Sequence, residues 1–156
     1  MKDQISSDQD FVLWFLLNQV RDVLFKAREK ELRLHGITGT QAAVLFVIQA
    51  IGGEVTTTDI SRWLVREHHS VSCLLDRMER AGLVSRSKER HAKSLTRVAL
   101  TEKGRQAYCQ STKRASIHNI MRVISQEERQ KITAVLIRVR DEGFKQQLGD
   151  LKPPFP

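Results

Sequence analysis

The sequence contains only two cysteines, Cys73 and Cys109, among its 156 residues. Two cysteines so far apart do not make the disulfide framework of a small secreted domain. The N-terminal stretch MKDQISSDQD is polar and lacks the apolar core of a signal peptide. Both features predict a protein of a reducing compartment, and we expect the cytoplasm.

Long apolar runs are also missing. The longest, FVLWFLL at residues 11–17, is shorter than the roughly 20 residues that a membrane-spanning helix needs. No glycine-rich phosphate loop and no nucleophile elbow occurs, so we do not expect an enzyme. Adjacent His68 and His69 diverge by about 100° on a helix and rarely share a metal, so neither a metal site nor a cofactor is predicted.

Positive charge is what the sequence has in excess. Lysine and arginine number 26 against 18 acidic residues, which gives a net charge of +8 and a pI near 9.9. A basic chain of this kind favours a polyanionic partner, and nucleic acid before a membrane surface. Hydrophobic residues make up 40% of the chain, enough for one domain with a core of its own.

Helix starts are marked along the chain. Capping boxes at residues 38–41, 56–59 and 125–128 each stand just before an apolar segment with helical spacing. Asp10 precedes the apolar run of a first helix, and Gly52-Gly53 ends a helix that is apolar on nearly every side. The sequence therefore predicts a mostly helical fold.

The hydrophobic period changes after Gly82. Residues 83–87 and 95–101 alternate and are rich in Val, Leu and Thr, which predicts two short strands joined by the charged tip KERHAK. A third, very short strand is predicted at residues 54–56. Thr101 is expected to cap one long helix that runs over residues 102–124.

A short helix at residues 57–66 and an amphipathic helix at about residues 69–81 form a helix-turn-helix. The second helix is expected to bury Val71, Leu74, Leu75 and Met78, which leaves its other face free for a DNA major groove. The strand pair that follows is a wing. Between residues 84 and 105 the sequence has seven basic and two acidic residues, a net charge of +5 that suits phosphate or minor-groove contact.

These segments resemble a known family. GITGTQAAVLFVI, TTTDISRWL, VSCLLDRMERAGLVSR, VALTEKG and ISQEERQKI follow one another in the order and spacing of the MarR family of bacterial winged-helix regulators. The resemblance runs from about residue 10 to about residue 145. It implies a homodimer with intertwined terminal helices, in which each subunit presents one winged helix-turn-helix to half of a pseudo-palindromic operator. It also implies a repressor, and many family members lose affinity for DNA when a small molecule, often an aromatic acid or phenol, binds to them.

Taken with the residue patterns, the resemblance predicts a single MarR-like domain over residues 1–156. Residues 8–36 and 105–149 would form the helical dimerisation region, and residues 37–104 the winged helix-turn-helix region. The positions expected to contact DNA are Thr56, Thr57, His68, His69, Ser70, Ser72, Cys73, Arg77, Arg86, Lys88, Arg90 and Lys93.

Two positions depart from the family pattern. Cys73 stands where the family often has an arginine, so a guanine contact is missing. Residues 92–94 are Ala-Lys-Ser where the family often has Asp-Arg/Lys-Arg, so the acid that braces the wing arginine is absent. A floppier wing, or Glu89 in the bracing role, would follow. Arg77 is expected to contact phosphate or to pair with a nearby acid.

An effector pocket is a further hypothesis. Trp63 falls beside the buried register of its helix, and it could line a pocket with Trp14 or Phe15 of the first helix. His35 and Arg66 could anchor an anionic ligand there. Two other functions stay open: a winged-helix module that binds protein, and a regulator that senses oxidants through Cys73. Cys109 is expected to pack within its helix.

Overall fold

The computed structural model describes residues 8–53, 55–88 and 96–149. This part of the chain is mostly helical with one small sheet, as predicted. The elements in chain order are α1 (Gln9–Arg33), α2 (Gly39–Ile51), β1 (Val55–Thr56), α3 (Thr57–Leu64), α4 (His68–Arg80), β2 (Val84–Lys88), β3 (Thr96–Leu100), α5 (Glu102–Ser111), α6 (Ala115–Met121) and α7 (Gln126–Leu148).

The three capping boxes are confirmed at the starts of α2, α3 and α7, where both reciprocal hydrogen bonds are present. Thr101 caps α5 as predicted. The first helix begins slightly earlier than the sequence indicated. Asp8 is its N-cap and accepts a hydrogen bond from the Phe11 amide at 3.0 Å, so Asp10 lies inside the first turn, where its charge suits the helix dipole.

The sheet has the strand order β1-β3-β2, and both pairings are antiparallel. In its register, Val98 of β3 lies between Val55 of β1 and Arg86 of β2. The three predicted strands are therefore confirmed. The predicted hairpin tip comprises residues 88–93; Lys88 ends β2, and residues 89–93 lie outside the described residues.

The core lies in the winged helix-turn-helix region. The central helix α2 is apolar on nearly every side and packs against α3, α5 and β3. Among the residues that the structure describes, every buried hydrophobic one except Leu32 and Phe144 lies between residues 37 and 107. Fully buried side chains in this region include Leu45, Val47, Val55, Ile60, Val71, Leu75, Met78 and Val98.

The prediction of one long helix after Thr101 is wrong. The helix is interrupted between α5 and α6, where Arg114 adopts a left-handed backbone conformation with φ 49°. The reason is a set of contacts from α1. Glu31 accepts hydrogen bonds from the amides of Ala115, at 2.9 Å, and Ser116, at 3.3 Å, and Arg28 donates to the Ser111 carbonyl. These partners hold both helix ends that the break creates.

The terminal helices expose much apolar surface. All seven residues of the run at 11–17 are exposed, and Trp14 keeps 57% of its surface in the single chain. The apolar stripe of α7 is also exposed; it comprises Ile132, Val135, Leu136 and Val139, the last with 57% of its surface exposed. Phe144 is the one buried hydrophobic residue among the described side chains of that helix. Within the described residues, no helix combines the length and the apolar character that a bilayer crossing requires.

Candidate DNA-binding surface

Helices α3 and α4 form the predicted helix-turn-helix. Ile60 of α3 is fully buried, and Val71, Leu74, Leu75 and Met78 of α4 are buried beneath it, which confirms the amphipathic reading of α4. The turn between the helices passes through Val65, whose backbone is left-handed at φ 50° and ψ 53°. The apolar stripe thus fixes α4 to the core and turns its polar face outward.

That polar face carries most of the positions predicted to contact DNA. His68, His69, Ser70, Cys73 and Arg77 are exposed. Two cavities flank the helix and divide these positions into two groups. The larger cavity, of about 650 Å³, lies between α4 and the helices α1 and α2, and its lining includes Arg66, His69, Ser70, Cys73 and Arg77. The smaller, of about 380 Å³, lies towards the sheet and is lined by Thr56, Thr57, Thr58, Asp59, His68, Ser72, Arg86 and Thr96.

The start of α3 is held by its own side chains. The Thr56 hydroxyl accepts a hydrogen bond from the Asp59 amide at 3.1 Å and donates to Asp59 Oδ2 at 2.6 Å, and Thr57 is only 8% exposed. That Thr56 and Thr57 help to bind phosphate through this helix N-terminus stays a prediction. A phosphate there would meet the positive end of the helix dipole and the first backbone amides.

A thiol and an imidazole lie side by side on α4. Cys73 Sγ is 3.6 Å from His69 Nε2, one helical turn away. Cys109 is exposed too, so the prediction that it packs within its helix is wrong for the single chain. Among the described residues, no group of three or more His, Cys, Asp or Glu side chains is placed to bind a metal ion.

Arg86 is the position whose surroundings differ most from the prediction. Its Nη2 lies 2.9 Å from Glu79 Oε2 and also pairs with Asp76, and its Nε donates to Glu79 at 3.0 Å. Burial would lower the pKa of Arg86, but the hydrogen bonds and charges of Glu79 and Asp76 outweigh it and raise that pKa. The charge expected to serve DNA is therefore balanced by two carboxylates of α4.

Other cations of this region are also engaged. Lys103 donates to the Ala81 carbonyl at 2.8 Å, and Arg105 pairs with Glu102 at 2.9 Å. Arg77, by contrast, has no ion pair among the described residues, so its expected contact with phosphate or a nearby acid stays a prediction. The Lys88 backbone ends β2, and the predicted contacts Arg90 and Lys93 lie outside the described residues, as does Glu89.

The single chain does not gather the five predicted effector residues. Trp63 is half-buried and meets Phe46 edge-on at 6.3 Å between ring centres, whereas Trp14 and Phe15 are exposed on α1. Arg66 lines the larger cavity beside α4. His35 lines a separate cavity of about 180 Å³, and the two cavities share only Gln41.

Known proteins with a winged-helix fold are similar to this chain. A family model described as a winged helix DNA-binding domain matches residues 37–104. A solved regulator of the MarR family from Silicibacter pomeroyi is 21% identical, with a TM-score of 0.70 over 91% of this chain and 94% of that one. The chain contains a winged helix DNA-binding domain over residues 37–104, and its fold is similar to that of solved regulators of the MarR family.

Two further MarR-type neighbours are solved with a ligand or with DNA. The organohalide-sensing transcriptional regulator RdhR, in its 2,4-dichlorophenol bound form, is 26% identical with a TM-score of 0.85, over 96% of this chain and 90% of that one. A mutant MarR from E. coli, complexed with operator DNA, is 20% identical with a TM-score of 0.77, over 85% and 96%. Among curated protein sequences, none matches the chain.

Proposed function

We propose that the chain is a homodimeric repressor that binds a pseudo-palindromic operator in the cytoplasm and leaves it when a small aromatic or phenolic effector binds. One observation carries DNA binding: α4 buries a complete apolar stripe and offers an exposed polar face with Arg77, a cation that has no ion pair among the described residues. One α-helix of this kind fits a major groove about 12 Å wide. His69 and Ser72 are the proposed base-reading side chains, because Cys73 replaces the usual arginine.

The proposed dimerisation region comprises residues 8–36 and 105–149. Its support is the exposed apolar surface of α1 and α7, where Trp14 and Val139 each keep 57% of their surface. Monomers rarely leave apolar patches of that extent in water. Because both ends of the chain carry such surface, a second copy can cover both at once, and each subunit then reads one half-site.

The dimer is tested by charge insertion. The double variant Leu13→Glu with Val139→Glu should be monomeric by light scattering and should lose operator affinity, because a carboxylate cannot be buried unpaired. The control Gln49→Glu adds one negative charge at an exposed position of α2 and should remain dimeric. A wild-type chain that is monomeric at micromolar concentration contradicts this part of the proposal.

DNA binding is tested by fluorescence anisotropy on the chain's own upstream DNA and on a scrambled duplex, at low and moderate salt. We expect a preference for the upstream DNA that survives moderate salt. Arg77→Gln should weaken binding and reduce the slope of log affinity against log salt by about 0.9, the value for one phosphate contact. Arg105→Gln, whose guanidinium is already paired with Glu102, is the control. An affinity that is equal for both duplexes and falls steeply as the salt concentration rises would favour the protein-binding alternative.

The larger cavity beside α4 is the proposed effector site. It joins an apolar side formed by Phe25 and Leu74 to the cations Arg66 and Arg77, a combination that suits an aromatic anion. A ligand there would occupy the side chains that face DNA, so it would compete with the operator. The neighbour RdhR was solved with 2,4-dichlorophenol bound, which supports a phenol as the first probe.

The effector is tested by release of labelled operator. A chlorinated phenol or aromatic acid should lower the anisotropy of the complex, and Arg66→Gln should raise the concentration that is needed. Gln49→Glu serves again as the control. No release by any member of a wide panel of phenols and aromatic acids would remove the effector from the proposal and leave operator binding intact.

A further inference from the structure

Strand β2 is fastened to the recognition helix α4 through Arg86. Two carboxylates of α4, one helical turn apart, meet the Arg86 guanidinium: Asp76 at one nitrogen, and Glu79 at Nε and Nη2. Only 20% of the Arg86 side chain is exposed. An arginine that bridges two acids in this way is held in one orientation, because the N–H donors of its planar guanidinium point in fixed directions towards the carboxylate oxygens.

The same contact reaches the backbone. The Arg86 amide donates to Glu79 Oε1 at 3.1 Å, so Glu79 binds both the main chain and the side chain of one residue. β2 stands at the edge of the sheet, where outward amides have no strand partner. Glu79 supplies that partner from the recognition helix and joins the open edge of the wing to α4.

We propose that Arg86 is a positioning residue: with Asp76 and Glu79 it fixes the direction in which the wing leaves α4, and it does not itself contact DNA. This inference rests on the proposed DNA-binding function. It adds that the contact with Arg86 sets the spacing between the two regions proposed to meet DNA, α4 and the wing. A phosphate that approached Arg86 would be repelled by both carboxylates. Ala92 stands where the resembled family often has an acid that braces the wing arginine. In this chain the acids that hold an arginine of the wing are Asp76 and Glu79, at the base of the wing.

A variant cycle separates positioning from direct contact. Its three members are Arg86→Gln, the pair Asp76→Ala with Glu79→Ala, and all three substitutions together. If Arg86 positions the wing, each member should lose about tenfold of the preference for operator over scrambled DNA. The triple variant should be no worse than the others, since all remove one interaction.

Direct contact predicts the opposite pattern. Removing Asp76 and Glu79 would then tighten binding to both duplexes, because two negative charges leave the surface and Arg86 becomes free. Arg86→Gln would weaken both duplexes equally and reduce the salt slope by about 0.9. That pattern, or an unchanged preference in the Asp76→Ala with Glu79→Ala variant, overturns the inference. Arg105→Gln, which breaks an exposed pair of α5, is the matched control.

Hydrogen exchange gives a readout that needs no DNA. The Arg86 amide and its β2 neighbours should exchange at least tenfold faster in the Asp76→Ala with Glu79→Ala variant, while the amides of α2 remain protected. Arg86→Lys should restore part of the operator preference, because its ammonium can still meet one carboxylate. If the wild-type chain binds both duplexes equally, the proposed function fails. Unchanged exchange of the β2 amides in the Asp76→Ala with Glu79→Ala variant would separately reject the positioning role of Arg86.

Discussion

Gly104 lies so close to Leu83 that a Cβ built on the glycine would stand 2.0 Å from the Leu83 carbonyl oxygen. The first turn of α5 therefore rests directly on the turn that follows α4. Thr101 strengthens this contact, since its hydroxyl donates to the Gly82 carbonyl at 2.6 Å and its amide donates to Leu83 at 3.2 Å. The recognition helix and α5 are held at a backbone-to-backbone distance that only glycine permits.

We expect Gly104→Ala to lower the free energy of unfolding by about 3 kcal/mol, the upper part of the range for overpacking, because the obstructing atom is backbone and cannot rotate away. Urea unfolding followed by circular dichroism measures the change. The control is Gln106→Ala, an exposed position of the same helix, which should stay within about 0.5 kcal/mol of wild type. An equal response of the two variants would contradict the close approach.

Local signals explain what the sequence predicted well. The capping boxes and the alternation of β2 and β3 act within a few residues, so the element starts and the strands were predicted closely. The amphipathic pattern of α4 fixed which side chains are buried and which are exposed. Each of these features depends on neighbours in sequence or on one helical period.

Long-range contacts explain the rest. Glu31 meets the Ala115 amide from 84 positions away, and no local pattern shows that this contact will split a helix. The carboxylates that take up the charge of Arg86 are 7 and 10 positions away on another element. Counting charge in sequence cannot tell a cation that faces solvent from one that is already paired, so the pairing of Arg86 was not predicted.

Val65 holds a left-handed backbone at φ 50° although it is β-branched and 64% exposed. This conformation costs an L-residue about 1–2 kcal/mol, and asparagine tolerates it better. We expect Val65→Asn to raise the thermal midpoint by about 2–4 °C, which corresponds to about 1 kcal/mol in a chain of this size.

Val123→Asn is the matched control for Val65→Asn. Val123 is 86% exposed and is not among the described residues with positive φ, so the same side-chain change relieves no strain there. Its thermal midpoint should stay close to wild type. If both variants shift equally, the gain comes from replacing an exposed valine and the turn is unstrained.

Glu31 should give the chain a distinct loss of stability in acid. Burial alone would raise the pKa of Glu31, but hydrogen bonds from Ser116, Arg28 and the Ala115 amide outweigh it and lower that pKa to about 2. The unfolded chain takes up this proton near pH 4.5, before the folded chain does, so the stabilisation is complete above that pH and falls away towards pH 2.

We expect Glu31→Gln to be less stable than wild type at pH 7, with a smaller further loss between pH 5 and pH 2, because its side chain no longer titrates. Chemical unfolding at a series of pH values measures this. Glu127→Gln removes an exposed pair with Lys131 on α7 and should follow the wild-type profile. If the stability of Glu31→Gln falls with pH in parallel with that of wild type, other carboxylates cause the loss of stability in acid.

Cys73 lies on the exposed face of α4 that is proposed to meet DNA. We expect Cys73→Arg to increase affinity for DNA and to steepen the salt slope by about 0.9, because it adds a cation to the exposed face of α4. Where it reaches a base, it should favour guanine, whose O6 and N7 accept the paired donors of arginine. The measurement is anisotropy on duplexes that differ at single base pairs of the half-site, with Gln49→Arg on α2 as the control.

Cys73→Ser separates base reading from redox sensing at the same position. If Cys73 is only a small residue facing the groove, the serine variant should bind the operator as wild type does, and peroxide should affect the two alike. If the thiol beside His69 senses oxidants, peroxide should release wild-type chain from the operator while Cys73→Ser stays bound, because only the thiol can become a sulfenic acid. Release of wild type but not of Cys73→Ser, reversed by dithiothreitol, would establish the redox alternative at Cys73 and not at the exposed Cys109, since sulfenic acids and disulfides are reducible and higher oxides are not.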